Sequence, residues 1–272
     1  DLLNRSLLDP TIAHSITADQ VREIDFRKVK KFESEVIQNL FFDETKIPSI
    51  QVESVNLVVP YIINRFCLNH LTEPQVQALD FTNNTVVNSE FLQGLWQPRE
   101  NQKWGALLGF LTPVQIVNGL THGTLNTFAA HFVTEGQIAQ IDFRTVPNLR
   151  NVHEVVDGLF SKKTNVSSIQ LDSIRLLLPL IPAQNLNYLT QNQVEVIDFA
   201  KDEIDRTRFT QMLAPVQYMN SPQIIDALNR SLFNHNSIDF ISDSQLQDLD
   251  LNLITDSPIK NALVKRKKEL NQ

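Results

Sequence analysis

The sequence predicts an all-α protein built from tandem helical repeats, and three observations support this. The chain has 272 residues but only seven Gly and twelve Pro, which is few turn residues for a sandwich or a barrel. One pattern occurs five times, and every copy carries the start signal of a helix. Amphipathic runs at helical spacing fill the segments between the copies.

The repeated pattern begins with an apolar residue and then Thr or Ser, and it has a Gln three residues after the hydroxyl. Apolar, Asp and apolar residues follow at the fourth, fifth and sixth positions after the Gln. A hydroxyl three residues before a Gln is a capping box, in which each side chain bonds the other residue's backbone N–H. Each copy therefore predicts a short helix. The five Gln are spaced 55, 62, 56 and 52 residues apart: Gln20, Gln75, Gln137, Gln193 and Gln245.

A second, looser Gln series lies between these copies, at Gln51, Gln115, Gln170 and Gln223. Thr112, Ser167 and Asn220 precede the last three by three residues and predict further N-caps. Pro48 holds that place in the first, so its cap is not predicted. Amphipathic runs cover 32–42, 89–96, 149–160 and 204–213. Each unit is thus predicted to contain three helices.

The repeats predict a single helical-repeat domain over 1–272, a superhelical stack of three-helix units of about 56 residues. Similar segments about 117 residues apart, 24–27 and 141–144 among them, indicate a double unit. The predicted units are 1–15 (partial), 16–70, 71–132, 133–188, 189–240 and 241–272 (partial).

Tandem three-helix units of this kind resemble the armadillo and HEAT class of α-solenoid, which implies a protein-binding concave face. Two stretches resemble the repeats of TAL-effector-type DNA-binding proteins over about half of each of two units. They are SVNLVVP (54–60) with LTEPQV (71–76), and SIRLLLP (173–179) with LTQNQV (189–194). This second resemblance implies nucleic-acid binding as an alternative function. The abundance of Asn, Gln, Ile and Phe resembles that of effectors secreted by intracellular bacteria, which implies a cytoplasmic or host-cytosolic location.

Composition and motifs exclude several function classes. A net charge of −7, from 24 basic and 31 acidic residues, disfavours nucleic acid as a partner. The single Cys67 excludes an intramolecular disulfide and a Cys-based zinc site. No apolar run reaches the length of a membrane span. We find no phosphate-binding loop, nucleophile elbow or zinc-protease motif, so we predict a non-enzyme without catalytic, cofactor or metal residues. A non-catalytic region of a larger effector enzyme remains an alternative.

Two sets of residues are candidates for binding a protein or peptide. The first is the Asp five residues after each Gln of the first series, which either closes a local Asx turn or contributes to a row of carboxylates for a basic segment. The members of this set are Asp25, Asp80, Asp142, Asp198 and Asp250. The second is Trp96, Arg99 and Trp104 in the 96–105 segment, because the longest gap between consecutive Gln of the two series, 40 residues, contains it.

The position two residues before the capping Thr or Ser is also occupied by related residues in several copies. His70 lies two residues before Thr72, and Tyr188 and Phe240 occupy the same place in other copies. A position that accepts His, Tyr or Phe predicts a packing or helix-end role. The sequence therefore favours a non-enzymatic interaction scaffold of helical repeats, with its contacts on the concave face or at the 96–105 loop.

Overall fold

The protein is all-α, as the sequence predicts. A computed structural model describes residues 8–30, 33–62, 65–83, 86–88, 91–92, 95, 106–202, 204, 214–233 and 237–271. These residues form α-helices and 3-10 helices joined by short turns, and no strand occurs among them. Within these ranges no helix has both the length and the apolar character needed to cross a bilayer.

The chain divides into two compact units, and the first comprises 1–137 and 146–158. Its helices are short, which is typical of segments stabilised by packing rather than by propensity. The α-helices are Pro10–Ala13, Ala18–Arg22, Ser34–Leu40, Val55–Val58, Glu73–Gln77, Pro113–His122, Thr127–Ala130, Glu135–Ile138 and His153–Leu159. The 3-10 helices are Phe26–Lys28, Glu44–Ser49, Val52–Ser54, Val59–Tyr61, Arg65–His70, Ala106–Phe110 and Leu149–Val152.

The second unit comprises 138–145 and 159–272. Its α-helices are Lys163–Ser167, Leu171–Leu177, Gln191–Glu195, Ser221–Asn229, Asp243–Asp248 and Ser257–Leu270. Its 3-10 helices are Phe143–Thr145, Ala183–Tyr188, Ala214–Tyr218, Ser237–Phe240 and Leu251–Leu253. The last α-helix is N-capped by Asp256, whose side chain accepts the N–H of Ile259.

Phenylalanine lies in the core of four of the five repeats. The residue after the repeated Asp is fully buried in four copies: Phe26, Phe81, Phe143 and Phe199. Two of these rings contact another core ring, with centroids 6.0 Å apart for Phe26–Phe41 and 5.6 Å apart for the second pair. Burying such a ring stabilises the fold by about 3 kcal/mol. The repeated apolar position thus forms the interior of the protein.

The predicted capping boxes form. At seven helix starts the N-cap residue donates its backbone N–H to the Oε1 of the Gln three residues later, over 2.7–3.1 Å. The N-caps are Thr17, Thr72, Thr112, Thr134, Thr190, Asn220 and Ser242. Two of the three N-caps predicted for the second series, Thr112 and Asn220, are included. The prediction for Ser167 is wrong: it ends the helix Lys163–Ser167, and Gln170 is itself the next N-cap.

The same Gln side chains make a second, long-range contact, which we call the amide bridge. In six of them Nε2 donates to two or three backbone carbonyls 24–39 residues earlier, at 2.5–3.4 Å. The accepting carbonyls lie at or just beyond the end of a short helix, and the first carbonyl of each set also accepts the backbone N–H three residues later. The donors are Gln75, Gln115, Gln137, Gln193, Gln223 and Gln245.

The remaining helix ends of the first series are bridged by other side chains. Gln51 donates to Arg22 O at 3.1 Å, and Gln170 donates to Ala139 O at 3.0 Å. Lys267 supplies the donor for the last short helix, with Nζ at 2.8 Å from Gln247 O and 3.1 Å from Leu249 O. A side-chain N–H from a later segment therefore satisfies the end of every first-series helix.

We expect Gly158→Ala to destabilise the first unit. A methyl group at Gly158 would lie 2.6 Å from Thr127 O and 3.0 Å from the Ala130 Cβ, so the helix His153–Leu159 would have to shift. Overpacking of this kind costs about 2 kcal/mol. Gly136→Ala is the matched control, because a Cβ there has nothing within 4 Å. Urea titration should show a lower midpoint for the first variant only; equal midpoints would contradict the close approach.

Candidate binding surface

Trp96, Arg99 and Trp104 lie outside the described residues. Binding at the 96–105 loop therefore stays a prediction from the sequence.

All five repeated Asp form local turns in the structure. Each carboxylate accepts the backbone N–H two residues further on, at 2.9–3.2 Å: Asp25, Asp80, Asp142, Asp198 and Asp250. At Asp25 and Asp250 the bond caps a 3-10 helix. An acceptor at this place satisfies a backbone donor that the turn leaves without a helical partner. This turn explains why Asp recurs five residues after the Gln. That the repeated Asp side chains bind a basic segment remains a proposal.

Two of these carboxylates are also held by arginine. Arg27 contacts both Asp25 oxygens, at 2.8 and 3.1 Å, and Arg144 contacts both Asp142 oxygens, at 2.8 and 2.9 Å. The Arg27 hydrogen bond lowers the pKa of Asp25 to about 2, and the Arg144 hydrogen bond lowers the pKa of Asp142. At Asp80 the hydrogen bond from the Thr82 side chain lowers the pKa. These carboxylates are therefore charged at neutral pH and already have donors.

We expect Asp80→Ala to destabilise the protein by about 1 kcal/mol, since a capping acceptor is lost. Asp80→Asn keeps an acceptor for the Thr82 N–H and should change stability by about 0.5 kcal/mol or less. In the original chain the lowered pKa of Asp80 means that its negative charge stabilises the fold above about pH 4, and that this stabilisation is lost as the pH falls. Urea titrations at pH 7 and pH 3 test this. Equal losses for both substitutions would contradict the turn role.

An aromatic side chain recurs two residues before the N-cap in the second unit. Tyr188 precedes Thr190, Tyr218 precedes Asn220 and Phe240 precedes Ser242. Each of the three is the last residue of a 3-10 helix. We call Tyr188, Tyr218 and Phe240 the aromatic row. The helix-end role predicted for this position is thus confirmed for Tyr188 and Phe240, and Tyr218 has the same place although it was not predicted.

The rings of the aromatic row are only partly buried. Tyr188 is 37% exposed and Phe240 is 46% exposed, and Tyr218 is half-buried. The next residue along the chain is buried in every case: Leu189, Met219 and Ile241. Leu189 has an extended backbone, which turns successive side chains to opposite faces. Burial of one residue therefore leaves the aromatic ring before it at the surface.

The three 3-10 helices that end in the row pack against one another in sequence order. Ala183–Tyr188 contacts Ala214–Tyr218, and Ala214–Tyr218 contacts Ser237–Phe240. Amide bridges hold this arrangement: Gln245 bonds the carbonyls of Val216 and Met219, which flank Tyr218. The Lys163 ammonium lies 5.7 Å from the centre of the Tyr188 ring. Three partly exposed rings thus occur on neighbouring, equivalent segments of one unit.

The first unit has a less uniform version of the same position. It is occupied by His70, Phe110 and Phe132, all half-buried, and by Ser15 before Thr17. Phe132 contacts Phe128, with ring centroids 5.6 Å apart, and His70 Nε2 lies 3.4 Å from a Glu44 oxygen. Sequence comparison of the first Gln series alone identified His70, Tyr188 and Phe240. Reading both series together would also have revealed Phe110 and Tyr218.

The first unit also contains a surface cleft of ≈570 Å³. It is lined by residues 123, 125–127 and 151–155. His153 in its wall lies 3.7 Å from an Asp157 oxygen, and both side chains are about half exposed. No group of three or more His, Cys, Asp or Glu side chains in the described part of the chain could hold a metal ion. The cleft therefore adds no recognisable catalytic arrangement.

Comparison of the chain with protein-family models, with curated proteins and with solved structures gives no match.

Proposed function

We propose that the protein is a non-enzymatic interaction scaffold of tandem helical units, stacked as a superhelix, that binds an extended segment of a protein partner. The observation that supports this most directly is the aromatic row. Partly exposed aromatic residues recur at the same place before three consecutive N-caps, and Tyr is enriched among the residues that dominate binding energy at interfaces. Repeat proteins generally bind partners along such extended surfaces.

The local geometry favours a peptide over a folded partner. The three short segments that end in the row pack against one another in sequence order. A succession of partly apolar sites suits an extended chain, whose side chains also recur at regular intervals. The Asp residues of the repeats and the 96–105 loop remain proposed additional contacts. The acidic charge of the chain, −7, makes a polyanion a poor ligand.

Selection of peptides from a random display library on the whole chain tests this function. We expect selected peptides to lose about tenfold or more in affinity when Tyr188, Tyr218 and Phe240 are all replaced by Ser, because each ring would contribute to a hot spot. Affinity would be measured by fluorescence anisotropy on purified protein, with circular dichroism to confirm folding.

The control is Phe42→Ser. Phe42 is 75% exposed and lies in the first unit, outside the row, so its loss should leave peptide affinity unchanged. Two results would contradict the proposal: failure to select any peptide, or selected peptides that bind the triple variant as tightly as the original chain.

A further inference from the structure

We propose that the solvent face of the last α-helix, Ser257–Leu270, binds a short acidic segment of a protein partner. This helix contains five of the chain's 24 basic residues and only one of its 31 acidic residues. Its formal charge is therefore +4, whereas the rest of the chain together carries −11. The surface is independent of the aromatic row, none of whose residues belongs to it.

Tertiary contacts account for two of the five basic side chains. Arg266 donates to Ile238 O at 3.0 Å and pairs with Asp243 at 2.8 Å. Lys267 bonds the two carbonyls at the end of the preceding short helix, as described above. The remaining three basic residues form what we call the lysine face: Lys260, Lys265 and Lys268.

The lysine face lies on the side of the helix that points to solvent. At about 100° per residue, its three members fall within an arc of about 140°. Ile259 and Leu263, on the opposite side, are buried in the core. The Lys265 side chain is 81% exposed and lies 4.0 Å from a Glu269 oxygen. The other two lysines have no anionic partner in the described part of the chain, so positive charge on this side is largely uncompensated.

The helix dipole does not explain this accumulation of lysine. A cation near a helix C-terminus is weakly favourable. Among the other α-helices that the structure describes, however, only Ala18–Arg22 and Leu171–Leu177 have Lys or Arg in the last turn. Lys260 is the fourth residue of its helix, near the end where the dipole disfavours a cation. The fold therefore does not require these charges, and an anionic ligand would use them.

The length of the lysine face suits a short ligand. Lys260 and Lys268 are eight residues apart, which corresponds to about 12 Å along the helix axis. An extended peptide places a side chain on the same face every ~6.7 Å. Two or three acidic side chains on one face of such a peptide therefore cover the whole lysine face.

Acidic side chains beside the helix disfavour a larger anion. Asp243–Asp248 and Leu251–Leu253 both pack against Ser257–Leu270. Asp248 and Asp250, at the borders of these two elements, are exposed. A nucleic acid or an anionic membrane extends beyond the lysine face and would approach such carboxylates. Since salt screens charges beyond about 8 Å, a short acidic segment responds mainly to the three lysines rather than to the net charge of the chain.

Fluorescence anisotropy on the whole chain tests this surface. The probe is a peptide of four Glu-Ser pairs with a neutral dye, and a peptide of four Gln-Ser pairs is the uncharged control. We expect the Glu-Ser probe to bind at least about tenfold more tightly than the control, because up to three ion pairs form. This difference should be large at about 50 mM NaCl and small at about 300 mM NaCl, since salt screens exposed charges.

Substitution of two exposed lysines tests the location. Lys265→Gln with Lys268→Gln should weaken probe binding about fivefold, because two ion pairs are lost. The matched control is Lys28→Gln with Lys201→Gln, which makes the same change of charge at side chains that are 81% and 80% exposed. The control should leave affinity within about twofold. Lys265→Arg with Lys268→Arg keeps both charges and should retain binding. Circular dichroism checks folding, and Lys260→Gln, expected to weaken binding about twofold, is a second variant of the same face.

Four results would contradict the assignment of this face. The first is a Glu-Ser probe that does not bind at low salt. The second is an equal loss in the two double Gln variants, which would show a response to net charge alone. The third is a thymidine oligonucleotide, or phosphatidylserine vesicles, binding through the same lysines more tightly than the probe; the ligand would then be nucleic acid or membrane. The fourth is self-association in sedimentation velocity that Lys265→Gln with Lys268→Gln abolishes, which would make a second copy of the chain the occupant.

Discussion

Gln193→Glu should destabilise the protein by about 3–5 kcal/mol at pH 7, the typical effect of an unpaired charge in the interior. Gln193 is 1% exposed, and its Nε2 donates to the carbonyls of Val166, Ser167 and Ile169 at 2.9–3.3 Å. A carboxylate has no proton to donate and would face three carbonyl oxygens. The capping bond to the Thr190 N–H would survive, because Glu serves at this position as well as Gln. The substitution therefore isolates the amide bridge.

Gln20→Glu is the matched control for this experiment. Gln20 makes the same capping bond to the Thr17 N–H at 2.8 Å, but its side chain is exposed, and no amide bridge from it is found among the described residues. A negative charge in the first turn of a helix is weakly favourable. Urea unfolding at pH 7 should show a change of about 0.5 kcal/mol or less for this variant. Similar losses in both variants would show that the capping box, not the bridge, determines stability.

The loss at Gln193→Glu should also depend on pH. Burial against carbonyls raises the pKa of a carboxyl in the folded state above its usual value of about 4.3. A raised pKa means that the folded state binds the proton more tightly, so the protonated variant is relatively stable below pH 4. As the pH rises above 4, the free energy of unfolding of the variant then falls by up to about 1.4 kcal/mol per pH unit, until the carboxyl has ionised in the folded protein. A loss that is constant from pH 4 to pH 7 would contradict this account.

The sequence predicts the local structure of the repeats well, because capping depends on residues three apart. The helix starts at Thr17, Thr190 and Ser242 follow directly from hydroxyl and Gln spacing. The helix Ser34–Leu40 lies within its predicted amphipathic run. Ser167 shows that this spacing alone does not determine an N-cap. It precedes Gln170 by three residues, but packing places it at the end of a helix.

The sequence does not reveal the second function of the repeated Gln. Nε2 of Gln115 bonds carbonyls 36 and 39 residues earlier, and no local pattern specifies which carbonyls will be near it. The same holds for Lys267, which takes the place of a Gln at the last helix. Two members of the aromatic row, Tyr188 and Phe240, are visible in the sequence as a recurring residue type. The exposure of the row depends on the burial of Leu189, Met219 and Ile241 and thus on the tertiary fold.

The amide bridges connect stability to the proposed binding surface. Gln245 bonds the carbonyls on both sides of Tyr218, and Gln193 bonds the N-cap Thr190, two residues after Tyr188. The Gln side chains therefore fix the backbone from which two of the three rings project. A partly exposed ring held by buried hydrogen bonds loses little entropy when a ligand binds it.

Phe143→Ala should destabilise the second unit by about 3–5 kcal/mol, because the ring's burial is lost and a cavity remains. Phe143 is fully buried and lies 5.6 Å, centroid to centroid, from Phe160. It follows the repeated Asp142 and starts a 3-10 helix whose backbone is also held by the Ser173 hydroxyl, which accepts the Phe143 N–H at 3.2 Å. The backbone contact survives the substitution, so the measured loss reports the ring alone.

Leu251→Ala is the control at the equivalent position. Leu251 follows Asp250 and also starts a 3-10 helix, but it is only half-buried. Removing it should therefore cost about 1 kcal/mol, the transfer free energy of a partly exposed side chain. Urea titration of both variants, with ring-current-shifted NMR signals as a local readout, measures the difference. If both substitutions destabilise the unit equally, the aromatic ring after the Asp is not the anchor of the repeat, and the hydrogen bonds of the turn would have to supply that stability.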